Sequence, residues 1–540
     1  MTKKLRIVLA QLNLTVGDLA GNLKKHIDAA NKARDELAAD IIVFPELGLT
    51  GYSPEDLLLR PSFIADTQAS LNKFIDAAKG VHCLVSHPLK TATGLYNACS
   101  MIYDGKILGC YSKQFLPNYN VFDEYRYFDA DNKACVIPIN GVPIGLVICE
   151  DVWMPGPTRE AVQQGARLIL SPNASPFETT KFDQRLTVLA NRAKENNIPI
   201  VYVNCVGGQD EIVFDGGSVV VDQTGVPRAC AGFFKEALLP VDFTIEAATV
   251  HIDEQPFKSL SDLEKIYQAL VLALRDYVEK NNIPNVFIGI SGGIDSALTL
   301  AIAVDALGKD RVHAVLMPSR YTSAMSMEDA NAIIQNFAIT HETISIEPVF
   351  ESFLTTLLPS FQGKKPDITE ENIQARARAV ILMALSNKYG GIVLTTGNRS
   401  ELAVGYCSLY GDMAGGFAVL KDIPKTTVYE LSKYRNRLKQ VIPQRIIDRP
   451  PTAELAANQK DQDSLPPYDV LDQILDAYLN QSMSSNEIIA LGFSRDTVTK
   501  VIKLVQQSEY KRRQSVVGPR VDHKSFGKDW RYPLTNKYRG

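Results

Sequence analysis

From residue 5 to about residue 245, short apolar runs recur between stretches of helical spacing, at residues 6–14, 40–47, 81–89, 100–111, 142–151, 166–173, 198–205 and 217–225. Apolar runs of strand length alternating with helical patterns predict an α/β layered domain. The rhythm stops at the acidic, polar and proline-containing residues 246–260, which read as a linker between a domain over 1–245 and a second over 261–540. The second domain is predicted to open with a helix from Ser261, a good N-cap with Glu264 three residues on. Apolar runs at 285–290, 311–318 and 390–397 then alternate with helical spacing, the pattern of a doubly wound parallel sheet. From about residue 450 the chain is richer in charge and reads as irregular. No repeat of solenoid period and no low-complexity tract interrupts this order.

Composition narrows the class. A chain of 540 residues exceeds what one hydrophobic core serves, so two large domains are expected. Apolar residues at 45% and charged residues at 22% suit a soluble globular protein. A net charge of -4 supplies no global basic field, so nucleic acid is not an expected partner. The opening MTKKLRIVLAQLNL resembles the charged start of a leader, but Gln11 and Asn13 break its apolar stretch and it reads as a first strand. No apolar run approaches the roughly 20 residues of a membrane helix. The eight cysteines include no C-x-x-C pair, which argues against zinc and a disulfide framework and for the reducing cytoplasm.

The strongest local signal is GISGGIDS, comprising Gly289, Ile290, Ser291, Gly292, Gly293, Ile294, Asp295 and Ser296, between an apolar strand and an apolar helix. A glycine-rich turn of this kind aims backbone N–H groups and the helix dipole at an anion. It is neither a Walker A loop nor a G-x-G-x-x-G fingerprint. Residues 289–293 also satisfy G-x-S-x-G, the nucleophile elbow of α/β-hydrolases, with Ser291 as nucleophile. That rival lacks an H-G-G-G-type oxyanion loop, and the surroundings of the downstream His313, His341 and His523 do not recommend a triad partner.

The S-G-G-x-D-S order resembles the PP-loop of ATP pyrophosphatases, which implies ATP as co-substrate and Asp295 as a ligand of Mg²⁺ on the departing pyrophosphate. The segments ENIQARARAVILMALSNKYGGIVLTTGNRSELAVGYCSLYGDMAGGFAVLKDIPKTTVYEL and RPPTAEL, with EYKRRQ and GPRVDHKSFGKDWRYPLTN near the end, resemble the NAD synthetase family. The resemblance implies ATP contacts at Thr396 and Lys425, deamido-NAD contacts at Asn372, Glu401 and Lys511, and a share of the Mg²⁺ for Glu401. Alone, Lys511-Arg512-Arg513 reads as a solvated charged face.

In the first domain Glu46, Lys113 and Cys149 each lie just beyond an apolar run, where α/β sheets assemble their sites. A thiol that attacks an amide needs a base and a cation or N–H pair for the oxyanion, and these three supply both without a histidine. Singly, each also has a bland reading, the cysteine as a core residue and the glutamate and lysine as surface groups. The segments around them resemble the nitrilase superfamily, which implies an αββα sandwich with a Glu-Lys-Cys triad. LPNYNVFDEYRYF and CEDVW resemble the glutaminase domain fused to NAD synthetases, which implies glutamine contacts at Tyr119, Ser175 and Lys181.

Together these resemblances imply an AMP-forming ligase that amidates deamido-NAD with ammonia taken from L-glutamine, the final step of NAD biosynthesis, in a cytoplasmic homo-oligomer. Other PP-loop amidotransferases are the nearest alternative, but an asparagine synthetase needs a nucleophilic cysteine after Met1, where Thr2 stands. A nucleotide sensor with a degenerate amidase is the alternative from another class.

Overall fold

The computed structural model describes residues 2–246, 249–456 and 459–538. Two compact units meet at Leu260 and Ser261. In the first, a seven-stranded sheet runs in the order Val250–Ile252, Ala237–Ile245, Lys3–Gln11, Ile41–Val43, His82–Lys90, Leu95–Tyr103 and Lys106–Ser112. A six-stranded sheet runs Pro227–Cys230, Val219–Val221, Ile200–Asn204, Leu168–Asn173, Val142–Leu146 and Cys135–Ile139. In each sheet three neighbouring strands are parallel and the outer ones antiparallel.

Alternation along the strands explains the layering. In Lys3–Gln11, Leu5, Ile7 and Leu9 point between the sheets and meet Ile144, Leu146, Leu168 and Val201. Val8 and Ala10 point the other way, onto Ala29, Ala33, Leu71 and Phe74 of the helices Leu19–Asp35 and Pro61–Ala77. The helices Pro155–Gln163 and Lys181–Asn196 cover the outside of the second sheet. A side-chain period of two thus buries both faces of each sheet and gives four layers, αββα. The strand Val250–Ile252 falls inside the segment expected to be a linker, paired with Phe243–Ile245.

The second unit holds a five-stranded, wholly parallel sheet in the order Thr340–Thr343, Val312–Leu316, Val286–Gly289, Ile392–Thr395 and Phe417–Ala418. The first of these in the chain is central, and the order runs outward on both sides. The switch point between Val286–Gly289 and Ile392–Thr395 is where such sheets open a crevice at their carboxyl ends. The helix Asp262–Lys280 begins as expected, with the Ser261 side chain accepting from the Glu264 N–H at 3.3 Å.

Beyond residue 450 the expectation of irregular chain is corrected. Short helices Tyr468–Leu475, Ser485–Ala490, Arg495–Gln507 and Glu509–Arg512 pack Leu471, Ile474, Val498, Val501 and Val505 into one cluster. Ser484 and Ser494 start two of them by accepting from the Glu487 and Thr497 N–H groups. Three of these helices have eight residues or fewer, while in Arg495–Gln507 the buried Val498, Val501, Ile502 and Val505 recur at helical spacing among polar residues.

Candidate functional site

Three loops at the carboxyl ends of strands bring Glu46, Lys113 and Cys149 together in the first unit. Glu46 follows Ile41–Val43, Lys113 follows Lys106–Ser112, and Cys149 follows Val142–Leu146. All three are buried, with Glu46 and Lys113 only 1% exposed and Cys149 5%, which corrects the surface readings of the glutamate and the lysine. The Lys113 ammonium donates to Glu46 Oε1 at 2.7 Å and to both oxygens of Glu124 at 2.8 and 2.9 Å. Asn97 Nδ2 donates to Glu46 Oε1 at 2.8 Å and the Ala174 N–H to Oε2 at 3.0 Å, so each oxygen of Glu46 has a fixed donor. Tyr52 donates to Glu124 at 2.8 Å.

Electrostatics set the resting states. Burial disfavours the Lys113 ammonium, but the carboxylates of Glu124 and Glu46 outweigh it and hold its pKa well above the ordinary lysine value. Burial, then the Glu46 charge, pushes the Cys149 thiol well up, while Lys113 and the Ala174 N–H pull it down. The thiol therefore rests protonated and needs a base at the moment of attack. Burial raises Glu124 to about 7 against the pull of Lys113.

Cys149 occupies a sharp strand-to-helix turn with φ +46°, ψ -100°, a conformation that projects its side chain from the strand end. Asp151 ties this turn to the lysine loop. Its Oδ1 accepts from the Gln114 and Phe115 N–H groups, just after Lys113, and its Oδ2 from Tyr111 and the Ile148 N–H.

Tyr119, Ser175 and Lys181, the residues expected around glutamine, have separate partners. Tyr119 donates to Glu150 Oε2 at 2.9 Å, next to the cysteine. Ser175 follows Leu168–Asn173; its N–H donates to Asn204 Oδ1 at 2.8 Å and its hydroxyl accepts from Arg185 at 3.3 Å. The Lys181 ammonium lies 4.6 Å from the centroid of the Trp153 ring.

In the second unit the strand Val286–Gly289 ends in the glycine turn, and the helix Ile294–Leu307 leaves it. Gly292 has φ +79°, and a Cβ there would lie 2.3 Å from the Ser326 carbonyl oxygen, so glycine is required. Ile290 and Ile294 are buried anchors on either side. Ser291 Oγ accepts from the Gly293 N–H at 3.2 Å and lies 3.2 Å from Ser296 Oγ. Across the switch point, half-buried Thr396 follows Ile392–Thr395.

Lys425, the first residue of the helix Lys425–Leu438, is 2% exposed and donates to Asp295 Oδ2 at 2.5 Å and Glu401 Oε1 at 3.0 Å. Asn398 Nδ2 holds Asp295 Oδ1 at 2.9 Å. Burial opposes the Lys425 charge, but Asp295 and Glu401 outweigh it and raise its pKa. Burial lifts Glu401 to about 7 despite Lys425. Among the described residues the hydroxyl of Ser291, the nucleophile of the hydrolase reading, is engaged by the Gly293 N–H and Ser296 Oγ and not by a histidine.

Among the described residues, no three or more His, Cys, Asp or Glu side chains are arranged to hold a metal. Asp295 and Glu401 nevertheless suit Mg²⁺, a hard cation usually bound by one or two carboxylates with substrate phosphates and water.

A family model for carbon-nitrogen hydrolases matches residues 6–250, and one for NAD synthase matches residues 266–515. A glutamine-dependent NAD(+) synthetase of Xylella fastidiosa is 48% identical over 545 residues, covering 100% of both chains, and one of Thermotoga maritima is 44% identical over 574 residues, covering 99% of both. This chain belongs to the glutamine-dependent NAD(+) synthetase family. The solved structure of such a synthetase from Acinetobacter baumannii, in complex with ADP, has 44% identity and a TM-score of 0.81 over 99% of both chains.

In the second unit, Asn372 and Lys511 lie not on the glycine turn but against the loop that follows Glu401. Asn372 Oδ1 accepts from Ser408 Oγ at 2.5 Å, and the Lys511 ammonium donates to the Gly405 and Cys407 carbonyls at 2.8 and 2.6 Å. Arg512 beside it is buried, donating to the carbonyls of Ala403 and Val505. The reading of 511–513 as a solvated charged face is thus corrected for two of its three residues.

Sequence reasoning missed the second glutamate, Glu124, although it sits inside the quoted LPNYNVFDEYRYF segment. It also missed Arg378, largely desolvated beside the glycine-turn strand with Nε on the Met317 carbonyl at 3.1 Å, its pKa lowered to about 10 by burial. No spacing signal separates either from an ordinary loop or helix charge.

Proposed function

We propose that this synthetase releases ammonia from L-glutamine in its first unit and uses it in its second to convert deamido-NAD to NAD, with ATP cleaved to AMP and pyrophosphate. The carrying observation is the pairing of two buried lysine-carboxylate centres, Lys113 with Glu46 and Glu124, and Lys425 with Asp295 and Glu401.

In the first unit Glu46 takes the thiol proton as Cys149 sulfur attacks the glutamine amide carbon. The tetrahedral oxyanion is held by the Lys113 ammonium. Collapse breaks the carbon-nitrogen bond, the proton passes from Glu46 to the leaving nitrogen, and ammonia departs from a glutamyl thioester. Glu46 then activates water to hydrolyse the thioester to glutamate and free thiol. Glu124 keeps Lys113 charged and aimed, while Tyr119, Ser175 and Lys181 hold the amino-acid end of glutamine.

In the second unit the nicotinate carboxylate of deamido-NAD attacks the α-phosphorus of ATP, forming an acyl adenylate and releasing pyrophosphate. Ammonia adds to the acyl carbon and AMP leaves with the bonding electrons. The glycine turn from Gly289 to Ser296 offers N–H and hydroxyl donors to the phosphates, with Thr396 and Lys425 beside them. Asn372, Glu401 and Lys511 are the dinucleotide contacts. Asp295 and Glu401 would hold Mg²⁺, which when bound neutralises charge on the pyrophosphate. The ADP complex of the Acinetobacter baumannii relative supports a nucleotide site here.

Exposed Val349, Phe353, Val380 and Met383 on the helices Glu347–Leu357 and Ile368–Tyr389 support pairing of copies into a homo-oligomer. The absence of a disulfide among the described residues supports a cytoplasmic setting. Among the described residues no helix is long and apolar enough to cross a membrane.

Lys113→Ala tests the amidase assignment. Glutamine hydrolysis is expected to fall by on the order of a hundredfold or more, the scale of losing one oxyanion stabiliser. Stability should fall too, because two buried carboxylates lose their cation. A near-wild-type glutaminase rate would remove Lys113 from the chemistry.

A further inference from the structure

One residue in the second unit touches both carboxylates beside Lys425. Asn398 is fully buried and caps the start of the helix Arg399–Val404, which carries Glu401 in its first turn. Its side-chain oxygen accepts from the Glu401 N–H at 3.0 Å, and Glu401 Oε2 accepts from the Asn398 N–H at 3.4 Å, which makes a capping box. With its oxygen committed to a main-chain donor, the amide has its NH2 group left to give, and this donates to Asp295 Oδ1 at 2.9 Å. The other oxygen of Asp295 takes the Lys425 ammonium, which also reaches Glu401 Oε1. Asp295 and Glu401 are thus held by an asparagine on one side and an ammonium on the other.

The box alone does not call for asparagine. The same box is built from Asp367 with Glu370 and from Ser484 with Glu487, and neither of those cap side chains carries an N–H. Serine would therefore start the helix about as well. What the amide adds is a neutral donor to Asp295. A second cation in its place would cancel negative charge that the two acids offer to a divalent cation, whereas an amide orients the carboxylate and leaves its charge. The main chain around it is fixed as well, the Arg399 N–H donating to the Ile423 carbonyl at 3.0 Å and Ser400 Oγ accepting from the Lys425 N–H at 2.9 Å. Cap, glutamate and lysine therefore form one frame, and the amide ties Asp295 to it.

We propose that Asn398 is a positioning residue that sets the spacing and orientation of the Asp295 and Glu401 carboxylates, and so determines how strongly the site prefers Mg²⁺-bound ATP to free ATP. This rests on the reading of Asp295 and Glu401 as the pair that holds Mg²⁺. Asn398 touches no reacting atom in this account and acts through Asp295.

The test measures ATP binding to the full-length protein by calorimetry, once with Mg²⁺ and once with the metal removed by EDTA. The ratio of the two dissociation constants is the Mg²⁺ preference. NAD formation from deamido-NAD and ammonium gives kcat, and thermal unfolding checks the fold. The proteins compared are the wild type, Asn398→Ser, Asn398→Thr, Asp295→Asn and the double variant Asn398→Ser/Asp295→Asn. Loss of a group that orients a metal ligand costs on the order of tenfold to a hundredfold in metal affinity or activity. Asn398→Ser and Asn398→Thr should therefore each lower the Mg²⁺ preference by about tenfold or more, and kcat with it. Their melting temperatures should move by only a few degrees, because both substitutions keep a capping hydroxyl. The double variant should be no worse than Asp295→Asn.

The proposal alone is overturned if Asp295→Asn loses the Mg²⁺ preference while Asn398→Ser and Asn398→Thr keep it. It is also overturned if the effects of Asn398→Ser and Asp295→Asn add fully, because the amide then acts elsewhere. A loss of preference that comes only with a collapse of the melting temperature in both Asn398 variants overturns it too, because the amide then serves the fold. If Asp295→Asn keeps the wild-type preference, the reading of the acid pair fails and the proposal falls with it.

Discussion

Replacing Cys149 with alanine is expected to abolish NAD formation from glutamine while leaving formation from ammonium salts in place. In the proposed mechanism the sulfur is the atom that carries the glutamyl group, and neither Glu46 nor Lys113 can replace it as a nucleophile. The loss should reach the detection limit, as for other enzymes stripped of their covalent nucleophile. The turn itself is held by main-chain bonds that alanine keeps, the Cys149 N–H donating to the Pro172 carbonyl at 3.0 Å and its carbonyl accepting from the Val152 N–H at 3.1 Å. Cys149 packs into the core between the sheets rather than standing at a surface, so a modest loss of stability accompanies the change. The second unit has its own sheet and needs only ammonia. Rescue by ammonium should improve as pH rises, because an amine whose pKa is well above 7 is mostly its non-nucleophilic cation at neutral pH. Persistent glutamine-dependent synthesis would show that Cys149 is not the nucleophile.

Asp295→Asn should have a comparable effect in the opposite half. It keeps the shape of the side chain but removes one of two negative charges facing Lys425, and with it one of two oxygen groups suited to Mg²⁺. NAD formation should fall by roughly two to three orders of magnitude with glutamine and with ammonium alike, the range found when charge stabilisation of a transition state is lost. Added Mg²⁺ should not restore it, and glutamine hydrolysis should survive at a measurable level. Normal synthesis by this variant at saturating Mg²⁺ would take Asp295 out of the mechanism.

The contrast between these residues and their partners shows what a linear sequence carries. Glu46, Lys113 and Cys149 were legible because each follows an apolar run, and a strand end is a local property. That Lys113 contacts Glu46, 67 positions away, depends on sheet order, which no local pattern records. Asp295 was legible from the glycine turn, while Lys425, 130 positions further, stood out only by resemblance to a family. Glu124 was invisible because a buried acid in a loop has the spelling of an exposed one, and only the arrival of Lys113 and Tyr52 distinguishes it. The same holds for Arg512, whose neighbours suggested a solvated face until the packing of Phe526 and Val505 around it enclosed the guanidinium. The two layered cores were readable for the reason that Leu5, Ile7 and Leu9 alternate with Val8 and Ala10. The helices past residue 450 were not, because apart from Arg495–Gln507, where Val498, Val501, Ile502 and Val505 do recur at helical spacing, they run only four to eight residues, too few turns for a period.

The most direct test of the whole account follows the nitrogen and the phosphates in one reaction. The purified protein is incubated with deamido-NAD, ATP, Mg²⁺ and glutamine labelled with nitrogen-15 in its amide, and the products are identified by mass spectrometry and phosphorus NMR. The account predicts NAD carrying the label in its carboxamide, together with AMP, pyrophosphate and glutamate. Absence of NAD, unlabelled NAD, or ADP and phosphate in place of AMP and pyrophosphate would contradict it.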